Sequence, residues 1–266
     1  MKINRILPLW ENRTAPYSEF SPEQAQPSVA EYAVEGAKSA MIICPGGGYS
    51  CKVDHEKEPI AEIYTRAGLS CYVLDYRVSP CHYEAPLSDA LRAIRLVRAM
   101  GYEKVAIIGF SAGGHVCCSA ATLFDEGKPD SPDLIERVSS RPDAFIAAYP
   151  VVSFQTFRHE GSMENLMGKY SQNQSLLRRF SAELNVTELT PPGFIWHSCD
   201  DYDVPALNSM MLAAAMALKQ RPFVLHIFPG GRHGAGVAFP DANAEKWAPL
   251  SVDWLRGLNF LPAISE

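Results

Sequence analysis

The chain has 266 residues, of which 47% are hydrophobic, and a formal net charge of −6. That is apolar material for one sizeable domain, with too little charge of either sign for a nucleic-acid or anionic-membrane surface. No apolar run approaches the ~18 residues of a membrane helix. Met1 to Pro8 lack the apolar stretch of a secretion signal. The seven cysteines are scattered without metal-ligand spacing, so free thiols in a reducing cytoplasm are expected.

Residues 1 to 27 are polar and hold Pro8, Pro16, Pro22 and Pro27, which reads as an arm with one edge strand. Val29 to Val34 follows as an antiparallel strand. Ala40 to Cys44 is short and wholly apolar, as a central buried strand should be. It runs into Pro45-Gly46-Gly47-Gly48-Tyr49, where glycines free the backbone to turn N–H groups outward. A phosphate cradle is disfavoured there, since neither G-K-[ST] nor G-x-G-x-x-G is present.

Glu58 to Ala67 reads as a helix stopped by Gly68, and Leu69 to Asp75 as a strand. Pro86 opens an amphipathic helix whose apolar stripe is Leu87, Ala90, Leu91, Ile94 and Val97. Arg92, Arg95 and Arg98 lie off that stripe and read as a solvated face. Val105 to Ile108 is the next strand, and His115 to Ala121 a helix. Residues 125 to 142 read as a surface loop, and Ala144 to Tyr149 as another buried strand. Residues 153 to about 191 are longer than an ordinary connection and read as a small cap or lid, docked by Leu176, Leu177 and Phe180. Its polar residues (His159, Glu160, Ser162, Asn165, Gln172) are unlike the apolar surface of a lipase lid. Gly193 to Ser198 and Phe223 to Phe228 are strands, and residues 206 to 220 and 244 to 258 are helices. Strands alternating with helices imply an α/β domain, with a mostly parallel sheet covered on both faces.

The stretch Gly109-Phe110-Ser111-Ala112-Gly113 sits between a strand and a helix. A G-x-S-x-G turn in that setting is strained and lifts the serine out at the carboxyl end of the sheet. The first N–H groups of the following helix then face any negative charge that develops beside Ser111. In acyl-transfer hydrolases one half of the oxyanion hole is the N–H after the nucleophile, and the other comes from a glycine loop after an earlier strand. Here those groups are Ala112 with Gly47 and Gly48.

An acid and a histidine should follow the serine in that order. After the strand ending at Ser198 come Asp200, Asp201 and Asp203, and spacing does not choose among them. His233 lies in the glycine-rich loop Pro229 to Gly236, after the last strand. His55, His82, His115, His159, His197 and His226 are weaker candidates by position. The mechanism expected is proton removal from Ser111 by His233, an acyl-enzyme, and hydrolysis by water, with no metal or organic cofactor.

The motifs Pro45 to Tyr49, Tyr76-Arg77-Val78, Gly109 to His115, Tyr149-Pro150-Val151, Asp201-x-x-Val204-Pro205 and Phe228 to Gly234 together resemble the α/β-hydrolase superfamily. The likeness is to its branch of small bacterial carbohydrate esterases, acetyl-xylan and feruloyl esterase-like, and it runs from about residue 30 to 256. It implies that Asp201 is the acid, with Asp203 second, and that Tyr49 contacts substrate. It also implies a single α/β-hydrolase domain over residues 1–266, acting on short acyl esters, acetyl above all, carried by carbohydrate. Pro45 stands where lipase-like relatives have histidine, and no secretion signal accompanies the chain, so the substrate expected is a small ester such as an acetylated oligosaccharide. A peptidase or amidase of the same fold, and a non-catalytic binding protein on the same scaffold, are the competing readings. An arm of this composition is able to reach a partner subunit, so a homo-oligomer stays open.

Overall fold

The structure is a computed structural model that describes residues 2–11, 13–237 and 243–262. Met1, at the start of the expected arm, lies outside the described residues.

Eight strands form one sheet: β1 (Arg5–Pro8), β2 (Ser28–Tyr32), β3 (Ser39–Cys44), β4 (Ser70–Asp75), β5 (Lys104–Phe110), β6 (Ala144–Ala148), β7 (Gly193–Ser198) and β8 (Phe223–Phe228). Their spatial order is β1-β2-β4-β3-β5-β6-β7-β8. β1 and β2 pair antiparallel, as do β2 and β4, and every later pairing is parallel. β3, β6 and β7 are buried at every residue, which accounts for their mostly apolar sequences. The edge strand β8 is half-buried throughout.

Successive side chains on a strand face opposite ways, and the core divides accordingly. Ile42 and Ile107 join one cluster with Leu87 and Ile94 of α2 (Ala85–Ala99), Val116 of α3 (Ser111–Thr122) and Leu212 of α6 (Leu207–Leu218). Met41, Ile43 and Ile108 join the other, with Ile60 and Tyr64 of α1 (Glu58–Ala67) and Trp247 and Leu255 of α7 (Trp247–Gly257). Each fully buried aliphatic side chain contributes about 2 kcal/mol from area removed from water. Helices α4 (Glu160–Met167) and α5 (Gln174–Arg179) lie between β6 and β7 in the chain. Leu177 and Phe180 are buried there, and Leu176 is half-buried against the same core.

The arginines of α2 correct the sequence-based expectation. Arg92 and Arg95 are only 4% and 5% exposed. The helix has a second layer over its outer side, built from the arm and the 125–142 segment. Arg92 donates to the Leu9 carbonyl at 2.8 Å and pairs with Asp133 and Glu136, each at 2.8 Å. Arg95 donates to the Val138 carbonyl and pairs with Asp125. Beneath the arm, Arg77 and Asp89 form a fully buried ion pair at 2.6 Å, and Arg77 also reaches the Pro16 carbonyl. Trp10 packs against both Arg77 and Arg92, with the two guanidinium carbons 5.8 and 5.6 Å from its ring centre.

Candidate active site

The carboxyl ends of β3, β5, β7 and β8 carry the residues singled out above, on neighbouring loops. Ser111 stands between β5 and α3 with φ +52°, in the left-handed region that a residue with a Cβ occupies at a cost of about 1–2 kcal/mol. Close packing enforces the turn. A Cβ on Gly109 would lie 2.0 Å from the Gly113 carbonyl oxygen, and one on Gly113 would lie 2.1 Å from that of Cys44. Only hydrogen fits at either place.

Ser111 Oγ lies 2.7 Å from His233 Nε2, and His233 Nδ1 lies 2.7 Å from Asp201 Oδ2. Since the carboxylate only accepts, the proton sits on Nδ1, and Nε2 is left to accept from the serine hydroxyl. Asp201 is buried and held from several sides. Its Oδ1 accepts from the N–H groups of Asp203 and Val204 at 3.1 and 2.9 Å. His197 Nε2 donates to the Val204 carbonyl at 2.8 Å and faces Asp201 Oδ2 at 3.2 Å. Burial alone would raise the Asp201 carboxyl. Hydrogen bonds from His197 and His233, the charge of His233 and the Val204 N–H outweigh it, and the group lies well below the usual carboxylate range.

After β3, Gly47 and Gly48 have φ +134° and +62°. Their carbonyls are anchored: that of Gly47 accepts from the N–H groups of Ser50 and Cys51, and that of Gly48 from Asn165 Nδ2 at 2.8 Å. Among the described residues, neither N–H meets a protein acceptor. The N–H of Ala112, in the first turn of α3, has no intrahelical acceptor either. Gly47, Gly48, Ser111, His159, Asp203 and His233 line a shared cavity of about 200 Å³. Larger hollows of about 440 and 480 Å³ lie along the arm and beside Phe260, and hold none of these groups. A hydroxyl on a basic imidazole, next to three unengaged N–H groups, can add to a carbonyl carbon and hold the resulting oxyanion.

The structure thus brings Ser111, Asp201, His233, Gly47, Gly48 and Ala112 to one place. Asp203 is exposed at the cavity rim, and its backbone N–H supports Asp201. Tyr49 is not brought there, which corrects the expectation that it contacts substrate. It is 1% exposed, and its hydroxyl donates to His115 Nδ1 at 2.7 Å. His115 Nε2 in turn donates to the Phe180 carbonyl at 2.6 Å. The ring is therefore a buried strap between the glycine loop, α3 and the 153–191 segment. Three contributors have roles that the sequence does not assign: Glu56, which nothing singles out, His197, which stands only as a weaker candidate base, and Tyr149, which stands only within a motif of the resemblance. Glu56 is 1% exposed beside the cavity, accepting from the Gly46 N–H and the Tyr149 hydroxyl. No spacing rule singles out any of them, although a carboxylate so near a triple-glycine loop was a visible oddity.

The BD-FAE family model matches residues 31–216. Endo-1,4-beta-xylanase B of Butyrivibrio fibrisolvens is 38% identical over 212 residues, covering 76% of this chain and 33% of that protein. The acetylxylan esterase of Xylanibacter ruminicola is 31% identical over 208 residues, covering 74% of this chain and 41% of that protein. The chain therefore spans less than half the length of either curated relative. A solved structure, the acetyl ester-xyloside bifunctional hydrolase of Caldicellulosiruptor lactoaceticus, superposes with a TM-score of 0.92 at 38% identity, covering 98% of this chain and 99% of that one. With this sheet order and these loops, the chain belongs to the BD-FAE family, in the carbohydrate-esterase branch of the α/β-hydrolase fold.

Proposed function

We propose that the protein is a serine carboxylesterase that removes short acyl groups, acetyl above all, from carbohydrate. The observation that carries this reading is the continuous hydrogen-bond chain from Ser111 through His233 to Asp201, with both links at 2.7 Å. Ser111 Oγ attacks the ester carbonyl carbon as its proton passes to His233 Nε2. The N–H groups of Gly47, Gly48 and Ala112 receive the oxyanion, and the ionised Asp201 stabilises the imidazolium. The bond to the sugar oxygen breaks as His233 returns the proton to it. Water then adds to the acyl-enzyme, again losing a proton to His233, and acetate leaves with Ser111 restored. Each oxyanion donor in such a site is worth about 3 kcal/mol of barrier.

The small cavity beside Ser111 favours a short acyl group, and its polar rim of His159 and Asp203 suits a hydroxylated leaving group. The relatives named for acetylxylan and acetyl ester-xyloside hydrolysis support the same substrate class. Seven free cysteines fit a reducing, cytoplasmic setting. The test is acetate release from acetylated xylo-oligosaccharides by the intact protein and by Ser111→Ala. Release that falls by at least ~10⁴-fold in the variant supports nucleophile and substrate class together. No release from the intact protein sinks that substrate class, and release that survives the substitution sinks the nucleophile.

A further inference from the structure

We propose that Glu56 is a positioning residue that ties the glycine loop to the His233 loop through Tyr149, and so sets the distance between the oxyanion donors and the base. The inference rests on the serine-esterase reading above.

The two loops belong to β3 and β8, which are separated in the sheet by three other strands. Nothing in the sheet's hydrogen bonding fixes one loop against the other. Glu56 spans the gap. Its Oε2 accepts from the Gly46 N–H at 2.6 Å, one residue before the first oxyanion donor. Its Oε1 accepts from the Tyr149 hydroxyl at 2.5 Å. That hydroxyl accepts in turn from the Gly236 N–H at 2.8 Å, three residues beyond His233. The Tyr149 ring also packs edge-on against the His233 ring, with centroids 5.2 Å apart. Gly46, Glu56, Tyr149 and Gly236 therefore form an unbroken strut from one loop to the other.

Every joint is out of water and tightly packed. Glu56 and Tyr149 are 1% and 0% exposed. A Cβ on Gly46 would lie 2.8 Å from Glu56 Oε2 and 2.9 Å from Ser111 Cβ, so the glycine is wedged between the strut and the serine turn. The neighbouring His55 adds a second grip, with Nε2 3.0 Å from the Gly234 carbonyl. Tyr149, His55, His233 and Tyr76 are the titratable groups around the carboxylate. Burial pushes the Glu56 carboxyl upward, against the two hydrogen bonds it accepts and the nearby histidine charges.

A carboxylate is an unlikely choice for electrostatics alone, because its charge repels an oxyanion. Its use is as a double acceptor. It faces an N–H and an O–H with one oxygen each, and a glutamine in the same position would set its NH₂ against one of those donors. Glu56→Gln therefore keeps the volume and cuts one joint, and Tyr149→Phe cuts two.

The measurement is kcat and KM on an acetyl ester, with active sites titrated by an organophosphate so that only folded, reactive protein is counted. Ser111→Ala runs alongside. We expect kcat per titrated site to fall about 10-fold or more in Glu56→Gln and in Tyr149→Phe, with KM changed less than about twofold. The double variant should be no worse than the lower of the two singles, since all cut one strut. If Glu56→Gln does not fold, Tyr149→Phe carries the same split. Unchanged kcat per site, a loss that appears only as fewer titrated sites, or effects that multiply in the double variant would overturn the proposal. If Ser111→Ala is dead while Glu56→Gln is unaffected, the positioning role alone falls. Turnover that survives Ser111→Ala removes the serine reading and the strut with it.

Discussion

The two halves of the site are held by different means. On the serine side the backbone is locked against backbone: β5, the first turn of α3 and the loop after β3 approach so closely that Gly109 and Gly113 admit no side chain. On the histidine side the loop after β8 is held by side chains brought from far away in the chain. His55 takes Gly234, Tyr149 takes the N–H of Gly236, and Trp247 donates to its carbonyl at 3.1 Å. The first half depends on local spacing and tolerates no change of volume. The second depends on long-range partners and should tolerate loosening at a cost in rate rather than in folding.

Apart from loss of the nucleophile itself, the largest effect expected is at the far end of the histidine side. Asp201→Asn would set an amide where the His233 Nδ1–H needs a charged acceptor, and kcat should fall about 10³- to 10⁴-fold with the fold intact. Circular dichroism and steady-state kinetics on one preparation check this. A parallel collapse in thermal stability would mean that the histidine side is also structural.

Next in size is a contrast within the serine side. Gly113→Ala should cost about 3 kcal/mol or more, because its Cβ meets the backbone of β3. Gly48→Ala meets nothing within 4 Å and should cost only about 1 kcal/mol for its positive φ. Urea unfolding of the two variants measures the gap. Equal costs would show that collision is not what shapes the serine side.

The smallest effect is one of pH. Burial holds His115 at about 4, opposed by its hydrogen bond to the Phe180 carbonyl. The folded protein therefore keeps this ring neutral, while the unfolded chain takes up a proton below its ordinary value near ~6.5. The stability this ring contributes should fall as pH drops from ~6.5 toward 4, by about 2 kcal/mol between pH 7 and 5, and level off below about 4. Asp201, held below the usual carboxylate range, loses its own contribution only as pH falls toward and below the unfolded carboxylate value of ~3.8, at the lower end of this window. Unfolding free energies at several pH values should show this slope in the wild type and a flatter one in His115→Gln; identical slopes would remove the assignment.

This division explains what could be read from the sequence. Strand β3, helix α1 and the serine turn follow from apolar runs, periodicity and glycine spacing, all of which are local. Ser111, His233 and the acidic loop could be marked because each follows a strand end. The burial of Tyr49 is not legible, because at φ +61° its ring meets His115, and one residue's rotation in a tight turn leaves no trace in the letters. The burial of Arg92 and Arg95 is not legible either, because periodicity separates a helix face from the sheet without revealing a further layer beyond it. Glu56 and Tyr149 are not legible as a pair because they stand 93 positions apart and only the fold unites them, a contact with no signature in a single sequence.

The arginine row beneath the arm bears on how the molecule answers ionic strength. At physiological salt, mobile ions screen charges over about 8 Å in water, but they cannot enter a contact that water does not reach. Lys38–Glu103, with side chains 78% and 66% exposed, will be muted by added salt. Arg77–Asp89, at 1% and 0%, will not, and Arg92 at 5% is scarcely more accessible. Concentrated brine should therefore silence the outer charges of this acidic surface while leaving the arm fastened.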